Sequence, residues 1–213
     1  MPNKFVKVGH KLLSVPLCYD MFQTAVGSVR FRREFVRENI VNFDMSSVLD
    51  LGCGTASTIG LLPRNVRYIG IDSSKDYLAK AEKRSLHVEK KLIETDISDK
   101  SWLQETGEMG KTLGLALGIF HHIDDNKLIH TISNLGQIMP PSSKLVSLDP
   151  IIDEESSNLA RWFAKNDRGQ FIREFGEYER LFSQNNFKLS FRITRNSFRI
   201  PYDLIIMTAI KNS

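Results

Sequence analysis

The chain of 213 residues contains only two cysteines, Cys18 and Cys53. Two thiols cannot build a disulfide framework or a four-cysteine metal site, and a reducing cytoplasmic compartment fits them best. Long apolar runs are also missing. None approaches the roughly 18 residues that span a bilayer, so no membrane partner is expected. The basic N-terminus (Lys4, Lys7, His10, Lys11) has no continuous apolar stretch behind it, which disfavours a secretory signal. A processed transit peptide stays open, because no acidic residue precedes Asp20. No repeat, low-complexity tract or Pro/Gly-rich linker separates a second domain, and the length suits one core. Excess charge is small, at +4. Its densest cluster, Arg30, Arg32, Arg33 and Arg37, wraps much of a helix circumference. That is the pattern of a solvated face, so nucleic acid is not the expected partner. Gly-x-Ser-x-Gly and Gly-Lys-Ser/Thr are absent, which leaves no esterase elbow and no P-loop.

What is present is an alternation of short apolar runs with helical patterns. Residues 19–40 read as one or two helices, with a break at Gly27-Ser28 and with Phe22, Val26, Val29, Phe35 and Val36 as buried candidates. Strands are expected at Val48 to Leu51, Arg67 to Ile71, up to about Ile93, Thr112 to Leu117 and Leu145 to Leu148. Helices are expected at Ser74 to Ser85 and Asp124 to Met139. Such alternation implies an α/β fold with a doubly wound, mostly parallel sheet. Phe187, Leu189, Phe191 and Ile193 alternate, and Leu204 to Ile210 follows, which suits an antiparallel terminal hairpin. The expected organisation is one domain over 1–213. It comprises an N-terminal helical cap (1–44), a cofactor-binding core (45–150), a lid-like helical insertion (151–186) and the hairpin (187–213).

The strongest chemical signal is Asp50-Leu51-Gly52-Cys53-Gly54-Thr55, a glycine turn directly after the first strand. Gly52 and Gly54 allow close backbone approach, and a helix starting near Thr55 would aim its amides at the same point. Three aspartates sharpen this. Asp50 lies where a dinucleotide-binding turn carries an apolar residue; a carboxylate there repels a pyrophosphate but attracts an ammonium. Asp72 ends the second strand, where an acidic side chain accepts from both ribose hydroxyls. Asp96, after the third strand, can receive an adenine amino group. Each alone is a common turn or capping residue. Three in register describe an amino-acid-bearing nucleoside such as S-adenosylmethionine.

These residues resemble a family. Val48-Leu49-Asp50-Leu51-Gly52-Cys53-Gly54-Thr55-Ala56, Tyr68-Ile69-Gly70-Ile71-Asp72-Ser73-Ser74 and Gly118-Ile119-Phe120-His121-His122-Ile123-Asp124-Asp125 look like the motifs of class I S-adenosylmethionine-dependent methyltransferases. The resemblance covers about residues 19–210 and implies a Rossmann-like seven-stranded sheet. The His-His pair resembles the small-molecule branch. Leu148-Asp149-Pro150, Asp167-Arg168-Gly169 and Arg199-Ile200-Pro201-Tyr202 resemble a bacterial group often found with polysaccharide or secondary-metabolite genes. By resemblance, Asp50, Gly52, Cys53 and Gly54 line the methionine moiety, and Asp72 with Ser73 holds ribose. Asp96 and Ile97 hold adenine, and Leu117 and Gly118 lie under the sulfonium. An arginine of the N-terminal helix pairs with the methionine carboxylate, Arg32 being preferred over Arg30 and Arg33. Two departures stand out: Ala56 replaces the third glycine, and Pro141-Ser142-Ser143 replaces the usual Pro-Gly-Gly.

Methyl transfer needs in-line placement, with a base where the nucleophile must lose a proton. His122 and His121 are the candidates, since imidazole titrates near neutrality. Adjacent side chains point apart, so one is expected to act and the other to pack. Asp149 either orients a histidine, binds acceptor or merely forms a turn. Tyr19 and Arg168 are further acceptor-binding candidates. Arg168 and Arg173, with Trp162, Phe163 and Phe171, would form a lid suited to an anion if the lid is real. No metal is expected, because the His-His-Asp-Asp cluster lacks further ligands. The reading is a small-molecule methyltransferase producing S-adenosylhomocysteine. The alternatives are an RNA or protein methyltransferase, a non-catalytic protein of the same fold, and a nicotinamide-dependent oxidoreductase, which Asp50 disfavours. Oligomeric state has no sequence signal.

Overall fold

A computed structural model of the chain describes residues 28–40, 43–84, 88–166 and 169–212. Tyr19, Phe22, Val26, Arg168 and the side chain of Val29 lie outside the described residues.

Helix α1 (Ser28–Ile40) buries Phe35, Val36 and Ile40. Seven strands follow in one sheet: β1 (Ser47–Leu51), β2 (Arg67–Asp72), β3 (Lys90–Glu94), β4 (Thr112–Leu117), β5 (Lys144–Pro150), β6 (Phe187–Thr194) and β7 (Leu204–Lys211). Their order is β3-β2-β1-β4-β5-β7-β6, and only β7 runs against its neighbours. The central strands β1 and β4 are buried along almost their whole length because both faces are covered. Between the strands lie α2 (Lys75–Glu82), α3 (Ser101–Thr106), α4 (Asp125–Ile138), α5 (Asn158–Lys165) and α6 (Phe175–Ser183). Four caps explain where helices start. Ser74 accepts from the Tyr77 amide, Asp124 from that of Lys127 and Ser157 from that of Ala160, while Glu174 and Glu177 form a capping box.

Two apolar clusters sandwich the sheet. One joins Leu49, Ile71, Trp102, Phe120, Leu128, Tyr178 and Phe182 beneath α3, α4 and α6. The other joins Val36, Val48, Tyr68, Leu113, Leu148 and Ile206 beneath α1 and α2. Among the described residues no helix is long and apolar enough to cross a membrane.

The expected helix at Thr55 does not form. The segment after β1 is a series of turns ending in a short 3-10 turn, Ile59–Leu61. Ala56 has φ of 51°, which breaks helical backbone, and Gly60 and Pro63 disfavour recovery.

Arg173 belongs to the scaffold rather than to a lid. Only 4% of it is exposed, and its guanidinium donates to the carbonyls of Phe120 (2.8 Å), Phe171 (3.2 Å) and Ile123 (2.7 Å). It also pairs with Asp125 at 2.7 Å. The planar fork thereby ties the segment before α6 to the turn after β4. An ammonium cannot reach all these acceptors. Arg173→Lys is therefore expected to cost about 3 kcal/mol, read as a lower urea midpoint with an unchanged slope.

Candidate active site

The glycine turn sits at the carboxyl edge of β1. Gly52 has φ of 63° and Gly54 of 55°, both left-handed. A Cβ on Gly52 would lie 2.7 Å from Ile119 Cδ1, so space as well as backbone demands glycine there. Asp72 holds the turn from the next strand: Oδ2 accepts from the Gly54 amide and Oδ1 from the Ser74 amide, each at 2.8 Å. The side chain is half-buried, and each oxygen keeps lone-pair capacity for a further donor. Ser73 beside it is exposed. Ala56 is fully buried in the left-handed region, a conformation that glycine adopts without the roughly 1–2 kcal/mol steric cost.

Asp50 is 3% exposed, and its Oδ2 accepts from Thr58 Oγ1 and Tyr68 Oη, each at 2.8 Å. Burial raises its pKa to about 6 even though both hydroxyls favour the charged form. Sequence reasoning missed Thr58 and Tyr68. The register contains their signal: Asp50 stands opposite Gly70, and a Cβ there would meet Cys53 Sγ at 2.8 Å and Tyr68 Cε1 at 3.0 Å. Gly70 makes room for the thiol and the phenol ring around the carboxylate.

Arg32 is the one cation of α1 whose charge bears on Asp50. It is half-buried and makes no hydrogen bond to another described residue. Arg30 pairs with Glu34 at 2.9 Å and Arg33 is exposed, so the structure separates the three candidates by direction. Asp96 Oδ1 accepts from the Ser98 amide (3.0 Å) and hydroxyl (2.7 Å), while Oδ2 meets Lys127 Nζ. Burial raises its pKa, but the Lys127 and Ser98 hydrogen bonds outweigh it and the net shift is downward. Ile97 is 5% exposed, and its carbonyl accepts from Trp102 Nε1 at 3.0 Å. Leu117 and Gly118 are half-buried. Gly118, with φ of 74°, donates its amide to the Leu148 carbonyl at 2.7 Å before the chain turns away.

The turn after β4 carries both histidines, and they differ sharply. His121 is buried, and its Nδ1 lies 2.8 Å from Asp149 Oδ1, which also accepts the His121 amide at 3.1 Å. Asp149 is fully buried, and burial raises its pKa. An ionised Asp149 can only accept, so Nδ1 then carries the proton and Nε2 is the basic nitrogen. His122 is exposed, with its ring tilted against that of His121 at a centroid distance of 4.1 Å. Asp149 thus orients a histidine, and it is His121. Gly169 packs on that ring so tightly that a Cβ would lie 1.8 Å from His121 Cδ2. The Phe171 amide donates to the His121 carbonyl at 3.1 Å.

Comparison with known proteins bears on the fold. Residues 48–142, from β1 to just beyond α4, match the family described as a methyltransferase domain (Methyltransf_25). No curated protein matches the chain. Many solved structures share the fold. An O-methyltransferase family protein from Burkholderia thailandensis is 13% identical with a TM-score of 0.67, over 95% of this chain and 62% of that one. Magnesium protoporphyrin IX methyltransferase from Synechocystis PCC 6803 with bound SAH is 16% identical, with a TM-score of 0.63, over 87% of this chain and 82% of that one. The N-methyltransferase NodS from Bradyrhizobium japonicum WM9 is 18% identical with a TM-score of 0.62, over 86% of this chain and 96% of that one. The segment from β1 through α4 is thus similar to a methyltransferase domain, and the seven-stranded sheet has the Rossmann-like fold of these solved structures.

Proposed function

We propose that the chain is a cytoplasmic enzyme that transfers a methyl group from S-adenosylmethionine to a small-molecule acceptor. The observation that carries this reading is the convergence of the glycine turn, Asp50, Asp72 and Arg32 with the histidine turn at one edge of the sheet. Asp50 and Arg32 would take the ammonium and carboxylate of the methionine moiety, Asp72 the ribose, and the Asp96–Ile97 corner the adenine. Leu117 and Gly118 would lie under the sulfonium, with the histidine turn directly after them. The neighbours' names include both O- and N-methyltransferases, so the fold leaves the acceptor atom open. The outer face of α1 supports a small acceptor over nucleic acid, because Arg30 is paired with Glu34, and Glu38 with Arg192.

In the transfer, the acceptor's lone pair attacks the methyl carbon, and the carbon–sulfur bond breaks with its electron pair staying on sulfur. The acceptor then carries the methyl group and loses a proton. His122, exposed on the turn, takes that proton from a hydroxyl or amine acceptor. Asp149 and His121 form the buried anchor that fixes the turn beneath it.

Isothermal titration should show S-adenosylmethionine and S-adenosylhomocysteine binding with 1:1 stoichiometry. A folded sample that binds neither sinks the proposal. His122→Ala is expected to lower kcat by about 100-fold or more with cofactor affinity unchanged. His121→Asn should instead lower the thermal midpoint as well as kcat. Asp50 supplies a pH test. Its pKa of about 6 in the free protein means that it is protonated at pH 5. An incoming ammonium favours the carboxylate, so binding must release that proton. Cofactor affinity should therefore fall about tenfold per pH unit below 6. Asp50→Asn should bind weakly with no such dependence.

A further inference from the structure

The carboxyl edge carries a second cluster that the cofactor reading does not use. Phe31 of α1, Phe163 of α5, and Phe198 and Ile200 between β6 and β7 are each half-buried. All four pack against the same apolar core as Leu117, the last residue of β4. Topology puts them at one edge. The β6–β7 connection lies there because β6 runs parallel to β5, and α5 follows the end of β5. Helix α1 runs opposite to the strands. Near its end the Asn39 carbonyl accepts from Lys144 at the start of β5, so Phe31 lies toward the far, carboxyl edge. The rings engage one another. Phe31 meets Phe198 edge-on at 5.8 Å, and Phe198 stacks on Tyr202 at 5.5 Å.

Charge is withdrawn from this wall. Arg195 pairs with Asp153 (2.6 Å), Glu155 (3.1 Å) and Asp203 (3.1 Å), so its donors are taken up by the carboxylates of the edge. Arg161 donates to the carbonyls of Ser156 and Asp153. Arg173 is buried on three carbonyls and Asp125. None of these three guanidiniums is left to meet an anion. Half-buried apolar side chains beside guanidiniums that are already engaged suit a flat apolar group, which gains from ring contact as well as from burial.

We infer that Phe31, Phe163, Phe198 and Ile200 form the acceptor subsite, and that the acceptor is an uncharged aromatic or conjugated molecule bearing the methylated atom. This deepens the methyltransferase reading and rests on it. The reaction that supplies such a substrate must expose a hydroxyl or amine on a planar ring system.

The test uses the full chain loaded with S-adenosylhomocysteine and three probes: 2-naphthol, 2-naphthoate and 1-octanol. Naphthol should bind at least about tenfold more tightly than the other two. Phe163→Ala, Phe198→Ala and the milder Phe198→Leu should each weaken naphthol about fivefold with S-adenosylhomocysteine affinity unchanged. Phe191→Ala should change nothing; it removes an exposed ring on β6 that stacks on Phe175 away from this edge. Tighter binding of naphthoate, equal binding of octanol, or unchanged affinity in Phe163→Ala and Phe198→Leu overturns the inference. Wild-type protein that fails to bind S-adenosylhomocysteine refutes the underlying reading instead, and naphthol titrated into unloaded protein still tests the subsite.

Discussion

The parallel strands stop nearly flush, and most of the candidate site depends on that register. Leu51 is paired with Ile71 on one side and Ala116 on the other, and Leu117 with Leu148. One position further on come Gly52, Asp72, Gly118 and Asp149, so two left-handed glycines and two carboxylates stand in a row. The glycines turn the chain away from the sheet, and the carboxylates capture the amides that the turns would leave unpaired. Asp72 does this for Gly54 and Ser74, and Asp149 does it for His121. A slip of one residue in any of these pairings would move the slipped strand's groups to the opposite face.

The sheet's two faces explain why its buried acids differ in surroundings. Val48, Asp50, Leu113 and Leu115 belong to the face under α1, while Leu49, Leu145 and Asp149 belong to the face under α4 and α6. Asp50 is steadied by two hydroxyls, Asp149 by an imidazole and an amide. Burial raises the pKa of both, so each responds to any charge brought near. Asp50 also feels the charge of Arg32, and Asp149 that of His121.

Strand positions, the glycine turn and the three aspartates were legible in the sequence because each is local: an apolar run, a left-handed glycine, a strand end. Ser74 and Asp124 were legible as helix starts for the same reason. The missing helix after Thr55 is partly local, since Ala56, Gly60 and Pro63 are visible, but a Gly-x-Gly turn ordinarily leads into one and that expectation prevailed. Contacts across the chain were not legible. Gly169 lies 48 positions beyond His121, and nothing in either stretch announces that the glycine exists to let a ring pass. Tyr68 beside Asp50 could have been found only by pairing β1 with β2 and noticing that Gly70 leaves a gap.

The arginines show how far charge counting misleads when geometry is absent. An aromatic segment with arginines invites a lid for an anion, yet Arg173 is enclosed by carbonyl oxygens and serves the turn that carries the histidines. Arg195 likewise binds together the ends of β5, β6 and β7 through Asp153 and Asp203. A guanidinium whose donors are already met by carbonyls and carboxylates gains little from a further anion and would have to give up existing bonds to take one. Arg173 and Arg195 therefore shape the loops of this edge, and on the proposed reading selection of the acceptor falls to the half-buried rings.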